Sequence, residues 1–283
     1  MWADCHMHTP LCGHAHGEPV DFVRAAAEAG LATITFSCHI PMADEEGFRG
    51  RGIRMALDDL PRYRALVDEA RVLGQSLGVE VLCGIEAEYF PDPGAMESMS
   101  RTLAENRFDF ILGSVHHQLP IFQDFIEEQG LLDDAAIIAA YFEMLAEAAE
   151  SGRYHSLAHP DLIRIYGTVE PFDPADYAEP IHKALDRIAA TSCCLEVNTS
   201  GLIKGVFEMH PAPVILGWAR ERDIPITLGS DSHLPEQVGQ FFEPVTATLR
   251  AIGYTHAHYF RKGQRCAYPL PETSVAGAPE STV

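Results

Sequence analysis

Asp4, His6 and His8 stand at every second position of a short stretch near the start of the chain. On a β-strand alternate side chains share one face, which aims all three the same way and makes the two imidazoles half of a metal site. His14 follows a Pro and a Gly, on what reads as a loop able to reach back over the same pocket. Imidazole is the commonest transition-metal ligand, but one Asp-x-His-x-His in a chain with 14 histidines carries little alone. Further on, His39, Glu86, His116, His159, Asp231 and His233 each follow an apolar run rich in strand formers. A single His after a strand is more often a hydrogen-bonded loop residue than a ligand. Nine ligand-type residues spread over six strand ends are not explained so cheaply.

Nine ligands exceed one tetrahedral ion. Glu86 has two oxygens and can bridge two ions; three ions, each with three or four protein ligands and an open position, would use the set fully. Mixed imidazole and carboxylate ligation suits Zn, Fe or Mn without choosing among them. Asp4 is read as orienting a ligand rather than binding metal. Cys5 and Cys38 each precede a ligand position by one and should point away from the site. Of the other histidines, His155, His182, His256 and His258 read as solvated or core, whereas His16, His117 and His210 stay open as supporting or substrate groups.

The elements that must position these residues alternate. Strands are expected at the N-terminus and over 31–38, 79–86, 108–115, 154–158, 193–197 and 224–229. Helices are expected over 18–30, 57–78, 135–151, 177–191, 213–222 and 235–252, with a Gly- and Arg-bearing loop over 43–54. Seven strands alternating with helices predict an α/β fold with a parallel sheet, most simply closed into a barrel, whose site lies at the C-terminal ends of the strands. One domain is expected over 1–267, with a mobile tail over 268–283 that lacks apolar periodicity.

The bulk numbers exclude several classes. A net charge of −21 with no basic stripe disfavours nucleic acid and anionic membrane as partners, though an anionic small molecule remains open if cations line the pocket. No apolar run approaches membrane-spanning length, and the chain begins directly with the His-x-His stretch, leaving no room for a signal peptide; a cytoplasmic protein is expected. Seven cysteines, odd in number and with no CxxC pair, read as small buried hydrophobes. Oligomeric state is not legible.

Together these residues resemble the PHP (polymerase and histidinol phosphatase) superfamily, and within it the histidinol-phosphate phosphatase branch. The likeness is carried by Asp4-x-His6-x-His8, Cys12-Gly-His14, Ser37-Cys-His39-Ile-Pro41, Gly84-Ile-Glu86-Ala-Glu88-Tyr89, Gly113-Ser-Val-His116-His117, His159-Pro-Asp161, Glu196-Val-Asn198-Thr-Ser-Gly201 and Gly229-Ser-Asp231-Ser-His233. It implies a distorted (β/α)7 barrel with a trinuclear metal centre. His6, His8, Glu86 and Asp231 then resemble the ligands of a first ion. Glu86, His116 and His159 resemble those of a second, and His14, His39 and His233 those of a third. The implied chemistry is hydrolysis of a small phosphate ester by a metal-activated water, with Glu86, Asp231 and His233 as catalytic groups and histidinol phosphate, an intermediate of histidine biosynthesis, as substrate. Arg164 is the first candidate for a phosphate fork and Lys204 a weaker one; Asn198, Glu208 and His117 are candidates for a polar substrate end. Rival readings are a nucleotide-directed enzyme of the same superfamily, a metal-dependent amidohydrolase, which would leave His14, His39 and His233 idle, and a non-catalytic metal-binding protein.

Overall fold

The computed structural model describes residues 1–42, 53–169 and 171–272. Strands β1 (Trp2–Met7), β2 (Leu31–Phe36), β3 (Glu80–Glu88), β4 (Phe110–Ser114), β5 (Ser156–Leu157), β6 (Cys194–Asn198) and β7 (Ile226–Gly229) pair in sequence order, each parallel to the next. Neighbours in sequence that are parallel in space need a crossover, and helices supply it. These are α1 (Pro19–Glu28), α2 (Leu60–Leu77), α3 (Pro93–Glu105), α4 (Pro120–Glu128), α5 (Asp134–Glu150), α6 (Ala178–Ala189), α7 (Pro213–Glu221) and α8 (Phe242–Ile252). Proline occupies the first turn of α1, α2, α3, α4 and α7, where its missing N–H is no loss.

The sheet closes where β1 meets the end of β7. His8 N donates to Ser232 O (2.9 Å) and Ser232 N to His6 O (3.3 Å), a parallel bridge centred on Met7. At the opposite end β8 (His256–Arg261) and β9 (Gln264–Pro269) wedge a hairpin beside β7. Tyr268 Oη donates to Ala3 O there (3.4 Å), and Cys5 Sγ packs toward His258 O. The barrel is therefore closed directly at its C-terminal mouth and through an inserted hairpin at its base. This is the distorted α/β barrel expected.

Three expectations are corrected. The β8–β9 hairpin extends the sheet to nine strands; its turn is the two-residue Lys262-Gly263, both at positive φ, the geometry that matches strand twist. Tyr268 and Leu270 are buried, so the ordered barrel runs past residue 267; residues 273–283 of the expected tail lie outside the described residues, as do 43–52 of the expected loop. The helix expected over 235–252 breaks into a short 3-10 turn at Pro235–Gln237 and α8, because Gly239 and Phe241 adopt left-handed φ between them. Helices α3 and α4 were not foreseen. Asp92 caps α3, its carboxylate accepting from Ala95 N at 2.6 Å.

Candidate metal centre

Polar side chains gather at the strand C-terminal ends. Glu86 lies near the end of β3, and the chain leaving β2 runs on beside it: Glu86 N donates to Cys38 O (3.0 Å) and Ile40 N to Glu86 O (2.8 Å), which fixes His39 against Glu86. Glu86 is fully buried, and its two oxygens divide the imidazoles between them. Oε2 faces His39 Nδ1 (2.7 Å), His6 Nε2 (3.6 Å) and His8 Nε2 (3.8 Å). Oε1 faces His159 Nε2 (3.3 Å) and His116 Nε2 (3.6 Å). Burial works to raise the Glu86 pKa, but His39, His6 and His116 hold it well below the usual carboxylate range.

Asp231 joins the first group. Its Oδ1 is 3.1 Å from His8 Nε2 and 3.6 Å from His6 Nε2. Asp231 (φ 53°) and His159 (φ 28°) both sit at positive φ, a strained setting for non-glycine residues that is commonest at functional sites. Toward solvent, His233 Nε2 lies 2.9 Å from His14 Nε2; His14 is exposed and His233 half-buried, so this pair forms the mouth. All nine expected residues are brought together: seven line a pocket of about 270 Å³, and His6 and His8 are buried against Glu86 and Asp231.

Whether this cluster suits cations is decided by which nitrogens hold protons. His6 Nδ1 faces Glu196 Oε1 (2.7 Å) and His116 Nδ1 faces Glu88 Oε1 (2.7 Å). His14 Nδ1 faces Cys12 O (3.1 Å) and His233 Nδ1 faces Asp231 O (2.9 Å). Each partner is an acceptor, so each neutral ring carries its proton on Nδ1 and turns an Nε2 lone pair inward. The His14 Nε2 and His233 Nε2 atoms are then 2.9 Å apart with their lone pairs facing each other. Facing lone pairs repel unless a cation stands between them. The buried Glu86 Oε2 and His39 Nδ1, close as they are, make no aligned hydrogen bond. The donor set fits divalent cations.

Two carboxylates that do this orienting were not singled out from the sequence. Glu196, on β6, accepts from His6 Nδ1, from His159 N (2.8 Å) and from Asn198 Nδ2 (3.0 Å). A Cβ on Gly229 would stand 2.1 Å from Glu196 Oε1, so glycine there lets β7 approach the pair. Glu88 holds His116 and also pairs with Arg54; burial opposes ionisation, yet His116 and Arg54 bring its pKa down to about 2. The only sequence signal for either was an acidic residue near a strand end.

The expectation for Asp4 is corrected. The β1–β2 register is irregular between Asp4 and Met7, and the Asp4 carboxylate turns to Ser230 N (3.0 Å), Ser230 Oγ and Gly239 N (3.0 Å). It anchors the loop that carries Asp231 rather than an imidazole. Burial pushes its pKa up to about 6 despite these bonds.

The substrate candidates separate. Arg164 is turned inward: Nη1 pairs with Glu208 (2.6 Å), Nε with Asp161 (3.1 Å), and Nη2 donates to Met209 O. That network also holds His210, whose Nδ1 lies 2.5 Å from Asp161 Oδ1. A guanidinium so engaged is a poor phosphate fork. His117 is buried between Thr168 Oγ1 (2.6 Å) and Leu162 O (3.2 Å), and Asn198 is bound to Glu196 and Ser200 N. Neither lines the pocket. Lys204 does, with Nζ 3.2 Å from Asp231 Oδ2; desolvation would lower its pKa, but Asp231 raises it, so the cation is retained. Tyr166 and Gln118 also line the pocket and were not anticipated. His155 stacks on Phe260 and His182 packs at a tilt against Trp218, away from the site, as expected.

The fold and the site define an α/β barrel protein whose strand ends assemble several buried groups of metal-ligand side chains. The PHP domain model matches residues 4–200 and the PHP-associated model residues 215–246. The chain belongs to the PHP domain family. It is 36% identical over 255 residues to a Deinococcus radiodurans protein described as "Probable histidinol-phosphatase", covering 88% of this chain and 93% of the relative. It is 24% identical to the histidinol-phosphatase of Bacillus subtilis over 85% of this chain and 96% of that protein. Among solved structures, the histidinol phosphate phosphatase of Lactococcus lactis, complexed with zinc, L-histidinol and phosphate, superposes with a TM-score of 0.75 at 18% identity, covering 94% of this chain and 98% of that one. Among the described residues no helix is long and apolar enough to cross a membrane.

Proposed function

We propose that this chain is a metal-dependent phosphomonoesterase, one barrel domain that hydrolyses L-histidinol phosphate to L-histidinol and phosphate. The observation that carries the reading is Glu86, a buried carboxylate whose two oxygens each face a separate set of imidazoles. Three divalent ions, Zn, Fe or Mn, are assigned to it: His6, His8, Glu86 and Asp231 for the first; Glu86, His116 and His159 for the second; His14, His39 and His233 for the outermost. Bound there, such ions supply positive charge to the phosphoryl oxygens and make a water nucleophilic near neutral pH. The relatives described as histidinol-phosphatases, one of them 36% identical over most of the chain, support the substrate.

The chain's own groups do the rest. Glu196 and Glu88 keep the His6 and His116 rings in one tautomer, so the site needs no rearrangement before reaction. Glu86, Asp231 and His233 are the catalytic set. Glu86 couples two ligand groups, Asp231 links the inner cluster to Lys204, and His233 stands at the mouth, where it is assigned to the leaving-group side. Lys204, rather than Arg164, takes a phosphate oxygen. Lys204→Ala is expected to raise KM for the phosphate ester about tenfold, the effect of losing roughly one charge-assisted hydrogen bond, with metal content unchanged. A kcat/KM equal to that of the parent would remove Lys204 from the site.

Phosphate release from L-histidinol phosphate is the direct test, with purified protein reloaded with Zn, Mn or Fe, a panel of nucleotide and sugar monoesters, and His8→Ala as control. A kcat/KM of about 10⁴ M⁻¹s⁻¹ or more, absent in the control, is expected. Turnover confined to other esters would keep the metal chemistry and reject the substrate.

A further inference from the structure

Three polar residues leave β6 in a row. Glu196 and Asn198 stand two apart at the end of the strand, and Ser200 follows as the first residue of the 3-10 turn Ser200–Ile203. Each is hydrogen-bonded to the next. His6 Nδ1 donates to Glu196 Oε1 (2.7 Å), Asn198 Nδ2 to Glu196 Oε2 (3.0 Å) and Ser200 N to Asn198 Oδ1 (3.0 Å). Ser200 Oγ then donates to Asp231 Oδ2 at 3.1 Å; a carboxylate only accepts, so the hydroxyl proton is committed to it. The row joins His6 to Asp231, and every residue in it is buried. The backbone around Ser200 is held as well. Asn198 and His210 exchange N–H···O bonds (2.7 and 2.9 Å), and Thr199 N donates to Gly229 O (2.9 Å). A Cβ on Gly201 would stand 2.1 Å from Glu208 O, so glycine there lets the two segments meet.

We propose that Ser200 is a positioning residue of the metal centre: its hydroxyl holds the outer oxygen of Asp231, so that the inner oxygen stays aimed at the first ion. The inference rests on the metal-dependent reading above. Asp231 divides its oxygens between two tasks. Oδ1 lies toward His8 Nε2 (3.1 Å) and His6 Nε2 (3.6 Å), whereas Oδ2 accepts from Ser200 Oγ and from Lys204 Nζ (3.2 Å). Asp231 sits at φ 53°, a setting that a non-glycine residue keeps only where its surroundings impose it. The two donors on Oδ2 differ in what else they can do. Lys204 carries its charge on a flexible four-carbon stem, lines the pocket and is the group assigned to the phosphate. When its ammonium turns to a phosphate oxygen, Ser200 is the donor that remains on Oδ2. The serine cannot follow, because its N–H is tied to Asn198 and its short side chain is buried. A hydroxyl donating to a carboxylate is a charge-assisted bond, stronger than one between neutral partners.

The test is a double-mutant cycle of Ser200→Ala and Lys204→Ala in the full chain. Zinc affinity is read ion by ion through chelator competition, with turnover of L-histidinol phosphate measured alongside. Ser200→Ala is expected to weaken one ion about tenfold, the lower end of what such outer partners change. Ser200→Thr, which keeps the hydroxyl, restores that affinity. Lys204→Ala alone leaves it nearly unchanged, because Ser200 still holds Oδ2. In the double variant Oδ2 has neither donor, and the loss exceeds the product of the two single losses by about tenfold. A residue that only fills space would weaken every ion alike and show no coupling to Lys204. Should the double variant fold poorly, the single changes decide. A loss confined to one ion and reversed by Ser200→Thr supports the role; a loss shared by all ions, or not reversed, removes it. Parent-like affinity in Ser200→Ala, or a double loss equal to the product, would overturn the proposal and leave the phosphatase reading intact. The coupling without turnover in the parent would sink the phosphatase reading and keep the positioning role.

Discussion

Glu86→Gln is expected to lower kcat/KM for the phosphate ester by about 10³-fold, roughly 4 kcal/mol of transition-state stabilisation. Glutamine matches the shape of glutamate but offers one acceptor oxygen and an NH2 group. Whichever way the amide lies, its donor face meets imidazole nitrogens, either His116 and His159 or His6, His8 and His39. The substitution also removes a negative charge from a fully buried cluster of five imidazoles. Cations held on either side would then repel one another without compensation, and the bound metal per chain should fall by at least one ion. Steady-state kinetics with metal analysis on the same sample checks both quantities. A variant retaining its full complement of metal and more than a tenth of its activity would show that Glu86 does not couple the two groups.

Glu196→Gln is the second large effect, though Glu196 is not proposed to touch metal or substrate. Its carboxylate accepts from His6 Nδ1, His159 N and Asn198 Nδ2. The amide would set an NH2 against at least one of those donors and remove the charge that keeps the His6 proton on Nδ1. Outer partners of this kind change metal affinity by about 10- to 100-fold. Weaker binding of the inner ions, read by chelator competition, should therefore appear with kcat largely restored at saturating metal. That separation distinguishes a positioning residue from a ligand. A kcat that stays low at every metal concentration would place Glu196 in the chemistry itself.

The strand-end histidines were legible because parallel α/β barrels tie position to sequence: a polar residue just after a buried strand falls at one mouth whatever the details of packing. His6, His39, His116 and His159 needed nothing more than that rule. Glu88 and Glu196 obey the same rule, yet nothing in one sequence separates a carboxylate that binds an ion from one that holds the ligand's far nitrogen. Arg164 and Lys204 were ranked by proximity along the chain, which does not fix where a side chain points. Arg164 lies closer to the His159 motif, but Asp161 and Glu208 turn its guanidinium inward, whereas Lys204 is brought across the pocket to Asp231. The β8–β9 hairpin was missed because a short two-stranded ribbon after the last helix gives little periodic signal, and its pairing with β7 and packing against β1 are long-range.

Residue type and strand periodicity, both local properties, determined the barrel and the list of nine ligand-type side chains, and the order of the motifs along the chain carried the resemblance to the family. The tertiary structure alone decided how those side chains are shared out, since direction and distance depend on how strands far apart in sequence are closed against each other. The bridge between Met7 and Ser232 brings Asp231 to His8, and the strand pairing beyond β2 turns His39 to Glu86.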